Sequence, residues 1–177
     1  MAAVRIEETI DSKYGYIDRA GHMIIAPRFN QAGPFSEGVA AVETSARIVG
    51  NQAVDIAWGF IDNAGVLKIP DKYDFAGNFS EGLARVAIKP GVSEGYIDHD
   101  GKMIIPARFT QVSDFSEGLA AVCTDECFYI DPSGSATLKS FRAWWPFSDG
   151  LAVIDLRGRQ VYIDKRGRVI AHYSSDK

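Results

Sequence analysis

One signature, aromatic-Ile-Asp-x-x-Gly, recurs five times and constrains the fold more than any other feature of this chain. It reads "YIDRAG" from Tyr16, "FIDNAG" from Phe60, "YIDHDG" from Tyr96, "YIDPSG" from Tyr129 and "YIDKRG" from Tyr162, at spacings of 44, 36, 33 and 33 residues. Repeats of this period belong to architectures in which each unit buries its apolar face on its neighbours. Each copy is followed by an apolar run ("HMII", "VLKI", "KMII", "SATL", "RVI") and preceded by another ("MAAVRI", "VAAVE", "LARVAI", "LAAVC", "LAVIDL"). These runs are short, rich in Val, Ile and aromatics, and bounded by Gly, Pro, Asp and Ser, so they read as strands. None reaches the length a helix would want.

Asp followed three residues later by Gly suits a type I turn, with the carboxylate capping local N–H groups and Gly taking the left-handed conformation. Asp18, Asp62, Asp98, Asp131 and Asp164 are therefore expected as structural turn residues. Metal ligands are the lesser reading, because each aspartate sits in a different repeat. Counted from the Ala-Val strand, the chain holds five complete three-stranded units, at about 1–26, 39–70, 83–106, 119–139 and 151–172. The expected fold is all-β: a single repeat domain over 1–177 of five tandem antiparallel meanders in a solenoid-like array. A closed five-bladed, propeller-like ring is the alternative, disfavoured because three-stranded blades are thin.

Four connectors join the units, and each carries the tetrad "FSEG" or "FSDG", at Phe35, Phe79, Phe115 and Phe147. Another aromatic precedes each by six residues: Phe29, Tyr73, Phe109 and Phe141. The tetrad reads as a joint used four times, with Phe as a wedge and Ser-Glu-Gly as the turn into the next strand.

The joint spacing of Trp58-Gly59-Phe60-Ile61-Asp62, Gly65, Pro70, Tyr73 and Phe79-Ser80-Glu81-Gly82-Leu83-Ala84 resembles the bacterial WG (KWG) repeat, in five copies over nearly the whole chain. The dipeptide itself survives only at Trp58-Gly59. The other copies have Tyr14-Gly15, Glu94-Gly95, Cys127-Phe128 and Gln160-Val161, which marks the pair as packing rather than a chemical site. The resemblance implies a binding or interaction scaffold and no enzyme. Short members of the family resemble immunity proteins that neutralise bacterial toxins.

Composition agrees with a folded domain: 46% hydrophobic and 24% charged residues in 177. The net charge of −4 argues against nucleic acid, since phosphate binding needs a basic face. Residues 1–138 carry 11 Lys/Arg against 19 Asp/Glu, while 139–177 carry 8 against 4. The acidic part is a solvated face first and a surface for a basic partner second. No run is long enough to span a membrane, and the start lacks a secretory pattern, so the expected location is cytoplasmic.

Catalytic chemistry finds little support. His22, His99 and His172 occupy unrelated places in the repeat. The pairs Glu7/Glu8, Asp98/Asp100 and Asp125/Glu126 lie in or beside turns, and no phosphate-binding glycine loop is present. No metal or other cofactor is expected. Cys123 and Cys127 are expected as reduced thiols, one of them buried, although their hairpin spacing makes a disulfide conceivable.

Specific function is expected where the units differ. One departure is the insertion from Thr44 to Ala57 in unit two, with Ile48, Val49 and Asp55 as candidate contacts, read as an extended hairpin or a cover for one end of the array. The other is "AWWPF", where Trp144 and Trp145 are either extra core or an exposed anchor. The leading expectation is a partner protein, most concretely a basic toxin domain. The alternative is a carbohydrate or cell-wall module using Trp144, Trp145 and the repeat tyrosines as stacking platforms. Dimerisation through the terminal edge stays open.

Overall fold

A computed structural model describes residues 1–6, 12–50, 52–88, 93–138, 142–143, 145–156 and 158–172. The described secondary structure is all β, in five small antiparallel sheets that follow one another along the chain. Sheet one contains Ala2–Ile6, Lys13–Ile17 and Met23–Phe29 (β1–β3). Sheet two contains Gln31–Ala32, Ala40–Val49, Gln52–Ile61 and Leu67–Tyr73 (β4–β7). Sheet three contains Phe75–Ser80, Leu83–Ala87, Glu94–Ile97 and Met103–Phe109 (β8–β11). Sheet four contains Gln111–Val112, Ala120–Cys123, Cys127–Ile130 and Ala136–Leu138 (β12–β15). Sheet five contains Arg142–Ala143, Leu151–Leu156, Arg159–Asp164 and Val169–His172 (β16–β19).

The tandem meanders are present, but four of them carry one strand more than the sequence suggests. The connectors are not free joints. Their central residues pair with the following Ala-Val strand, as Gln31 with Glu43 and Gln111 with Cys123. The tetrad is the two-residue hairpin that makes this pairing possible. Ser36 N–H donates to Val39 O (2.9 Å) and Val39 N–H returns to Ser36 O (3.1 Å), and Ser116/Leu119 and Ser148/Leu151 repeat the exchange. Both central residues have positive φ: 50° to 55° at Glu37, Glu81, Glu117 and Asp149, then 76° to 87° at the following glycines. That pairing of angles is the type I′ hairpin, whose twist matches the strands it joins.

The core lies between sheets rather than within them. Each of four clusters is shared by two consecutive sheets; one joins Tyr16, Ile25 and Phe29 of sheet one to Ala40, Val42 and Ile61 of sheet two. The tetrad phenylalanine is the centrepiece at each junction. Phe35, Phe79, Phe115 and Phe147 stand edge-on to Tyr16, Phe60, Tyr96 and Tyr129 of the preceding sheet, at centroid distances of 4.9, 5.0, 4.9 and 5.0 Å. Such pairs add to the large area each ring removes from water.

Consecutive tetrads are also bonded to each other. Ser36, Ser80 and Ser116 hydroxyls donate to the carbonyls of Phe79, Phe115 and Phe147, at 2.7, 2.7 and 2.6 Å. The carboxylates of Glu37, Glu81 and Glu117 accept from the N–H of Gly82, Gly118 and Gly150 one sheet further on. The tetrads therefore form a column of sheet-to-sheet locks, which positions everything else on the surface.

Candidate partner-binding surface

Strand direction alternates within each meander, so every turn falls at one of two ends of its sheet. The tetrad hairpins and the Asp-x-x-Gly turns share one end. The turn between the Ala-Val strand and the signature strand lies at the other.

At the tetrad end all five signature aspartates act on their own turns. Asp18 Oδ1 accepts from Ala20 N–H (2.8 Å) and His22 N–H (2.9 Å). Asp62, Asp98, Asp131 and Asp164 repeat the pattern. The backbone bond from His22 holds the Asp18 carboxyl below its ordinary range; the Ser133 hydroxyl does so first for Asp131, and the Arg168 backbone for Asp164. Acids occupied in this way have little freedom to bind a metal. The turn glycines Gly65, Gly101, Gly134 and Gly167 lie against the preceding sheet, and a Cβ on Gly101 would lie 2.8 Å from Ile69 Cγ2.

The tetrad acids engage the next sheet's turn where it offers a nitrogen-bearing side chain. Glu37 meets His99 Nε2 at 3.0 Å, and Glu117 meets Lys165 Nζ at 3.0 Å. The bond from Lys165 draws the Glu117 carboxyl downward. In the sheet after Glu81 the equivalent turn position is Pro132, whose side chain has nothing to donate.

Three of the four repeat tyrosines are internal, and Tyr162 is half-buried. Tyr16, Tyr96 and Tyr129 are fully buried, and their hydroxyls donate to the carbonyls of Gly33, Ser113 and Trp145, at 2.9, 2.7 and 2.8 Å. Burial pushes all three phenols far above their ordinary range. They cannot serve as the stacking platforms expected for a carbohydrate module, because both ring and hydroxyl are spent on the junction.

The insertion of unit two is an arm at the opposite end. β5 and β6 run ten residues each and pair out to Val49 with Gln52, whereas their counterparts in sheets three to five have four to six. Two bulges between Glu43 and Arg47 increase its twist. Near the tip Arg47 Nε meets Asp55 Oδ2 at 2.9 Å, with both side chains more than two-thirds exposed. Val49 is 52% exposed, and Asp55 has a φ of 54°. Among the described side chains from Ser45 to Ala57 none belongs to a core cluster. Ile48 lies on this arm by its backbone; its side chain falls outside the described residues.

Trp145 is 45% exposed in sheet five, and Trp144 lies outside the described residues. The arm belongs to sheet two at the far end and Trp145 to sheet five near the tetrads, so the candidate contacts do not converge on one site.

One expectation is corrected by the structure, and one feature went unread in the sequence. Cys123 and Cys127 are directly opposed in register and form a disulfide with Cα atoms 4.0 Å apart, in place of the expected free thiols. The three-residue turn between them forces the juxtaposition. The unread feature is a polar seam between sheets three and four. Arg85 pairs with Asp114 at 2.9 Å and lies 4.9 Å over the Phe75 ring. Beside it burial raises the Glu94 carboxyl, whose Oε2 has no hydrogen-bond partner among the described residues. The available signal was an acid at the position Trp58 fills in unit two.

The glycine of the Trp-Gly pair has a steric reason. A Cβ on Gly15, Gly59 or Gly95 would lie 2.5, 2.7 or 2.5 Å from the carbonyl oxygen of Ile25, Ile69 or Ile105, where the third strand crosses at a bulge. Where Val161 replaces this glycine, the ladder runs through it in register with His172. The family profile for the WG containing repeat matches residues 14–45, 58–89 and 95–126, more than half the chain. The chain belongs to the WG-repeat family. No curated protein and no solved structure matches it. Each matched segment starts on a signature strand and takes in the next sheet's Ala-Val strand. The WG repeat is thus the junction between two sheets, carrying both partners of its aromatic pair.

Proposed function

We propose that this WG-repeat chain is a non-enzymatic scaffold that binds another protein, most concretely as the neutralising, immunity-type partner of a bacterial toxin. The observation that carries the reading is the outer part of the β5–β6 arm, where no described residue joins a junction core and exposed Val49 lies with the charged pair Arg47 and Asp55. Repeated positions are consumed by packing and turn formation, which leaves the departures from the repeat to recognise a partner. The acidic balance of residues 1–138 suits a basic toxin domain and disfavours nucleic acid. The same reading takes the protein as cytoplasmic, off the membrane and without a cofactor. In that compartment thiols are kept reduced, and hairpin register would hold Cys123 beside Cys127 with or without the bond.

The test is co-expression with the product of the adjacent reading frame. That product is expected to arrest growth alone and to be harmless beside this chain. Replacing 46–55 with Asn-Gly should abolish protection while leaving the fold intact. A neighbour that is not toxic, or protection that survives loss of the arm, would count against it. Trp145 keeps a carbohydrate module as the second reading. A glycan array on which binding is lost in Trp145→Ala would favour that instead.

A further inference from the structure

The two terminal sheets keep surfaces that every interior sheet buries. Register aligns Ala2, Val4 and Ile17 of sheet one with Ala40, Val42 and Ile61 of sheet two, residues that pack against the preceding sheet. In sheets two to five this set is 0–2% exposed: Ala40, Ala84, Ala120 and Ala152; Val42, Val86, Val122 and Ile154; Ile61, Ile97, Ile130 and Ile163. In sheet one Ala2 is exposed, Val4 and Ile17 are half-buried, and Met23 is 44% exposed. At the other end Val153 and Tyr162 are half-buried where Ala41, Ala121, Tyr16, Tyr96 and Tyr129 are buried, and Ala171 is exposed where Ile25, Ile69 and Ile105 are buried. Among the described residues no sheet covers either of these two faces.

We propose that the outer face of sheet one docks on the outer face of sheet five of a second copy, head to tail, reproducing the junction used four times inside the chain. The charges support that occupant. Inside the chain the tetrad acid of one sheet meets a nitrogen-bearing side chain in the next sheet's turn: Glu37 meets the His99 ring, and Glu117 pairs with the Lys165 ammonium. The unused tetrad acid is Asp149 of sheet five, and the residue at the His99 and Lys165 position in sheet one is Arg19. Both are exposed, and among the described residues neither has an ion-pair partner. A head-to-tail contact brings them together.

The intermolecular junction is weaker than the internal ones. Sheet one has no tetrad, so Ser148 finds no phenylalanine carbonyl to bond, and Ala171 is a smaller seat than isoleucine. Reversible, concentration-dependent association follows. Because the contact is heterologous, it builds open chains or rings of copies rather than a twofold dimer.

The test is sedimentation equilibrium of the full chain from micromolar to millimolar concentration, with Arg19→Glu, Asp149→Arg and the double variant. The wild-type mass should rise with concentration beyond that of one chain. Each single reversal should weaken association roughly tenfold by placing like charges together, and the double reversal should restore it. Ile17→Lys, on the apolar part of the face, should abolish association while circular dichroism shows the sheets intact. A mass fixed at one chain at every concentration overturns the proposal, including closure of the array on itself. Association indifferent to the charge reversals and to Ile17→Lys also overturns it.

Discussion

The tetrad column and the β5–β6 arm are both built from hairpins, yet they hold opposite places in the molecule. A tetrad hairpin has a two-residue loop, a buried ring edge-on to a neighbouring aromatic, and bonds to the tetrads of the sheets beside it. The arm is far longer, but its outer part touches no core cluster and its ion pair is largely in water. In these two hairpins repetition tracks burial: the tetrad ring that recurs holds sheets together, and the arm that occurs once is left on the surface. Length of secondary structure is a poor guide to stability, and the number of sheets a residue connects is a better one.

The comparison breaks first at the rings. Phe115→Ala removes a buried aromatic from the junction between sheets three and four and should cost about 3–5 kcal/mol in urea unfolding. A loss below about 1 kcal/mol would mean that the column does not carry the array. Two glycines separate steric need from backbone need. Gly95→Ala drives a Cβ to 2.5 Å from the Ile105 carbonyl and should cost about 2–3 kcal/mol as the strands part. Gly82→Ala has open space around it and only a φ of 81° to contend with, so about 1 kcal/mol is expected.

Acid sharpens the picture further. The Asp131 carboxyl is depressed in the folded protein, so its stabilisation is fully present above the ordinary carboxylate range and is lost as pH falls through the lower folded value. Asp131→Asn should therefore be less stable than the parent at neutral pH and converge on it in acid, as read from melting temperature against pH. A constant gap down to strongly acid pH would remove the carboxylate from the explanation. The smallest effect belongs to the arm. Arg47→Ala breaks a surface ion pair and should change stability by under about 0.5 kcal/mol, checked in the same urea titration.

Much of the fold was legible because its signals are local. Asp and Gly three apart write a turn whatever surrounds them, and the five signature aspartates sit in such turns. The strands were equally clear from their Val, Ile and aromatic runs. The connector strands were not, because two residues such as Gln31–Ala32 carry no periodicity. The acid before each tetrad glycine did hold a clue, since an acid-glycine pair is a two-residue hairpin signal as well as a turn. The bonds from Ser80 to Phe115 and from Glu81 to Gly118 depend on how sheets stack, which no single stretch of chain encodes. The arm was visible as an insertion because it breaks the repeat. Its separation from Trp145 was not, because strand direction and sheet order decide it.

Amide hydrogen exchange followed by NMR examines both regions in one sample. The amides of Ser116, Leu119, Ser148 and Leu151, which close the tetrad hairpins, should exchange only through global unfolding. Those of the arm from Arg47 to Val54 should exchange orders of magnitude faster through local opening. Arm amides protected as strongly as the tetrads, or tetrad amides that exchange freely, would contradict the division of the molecule into a locked column and an independent arm.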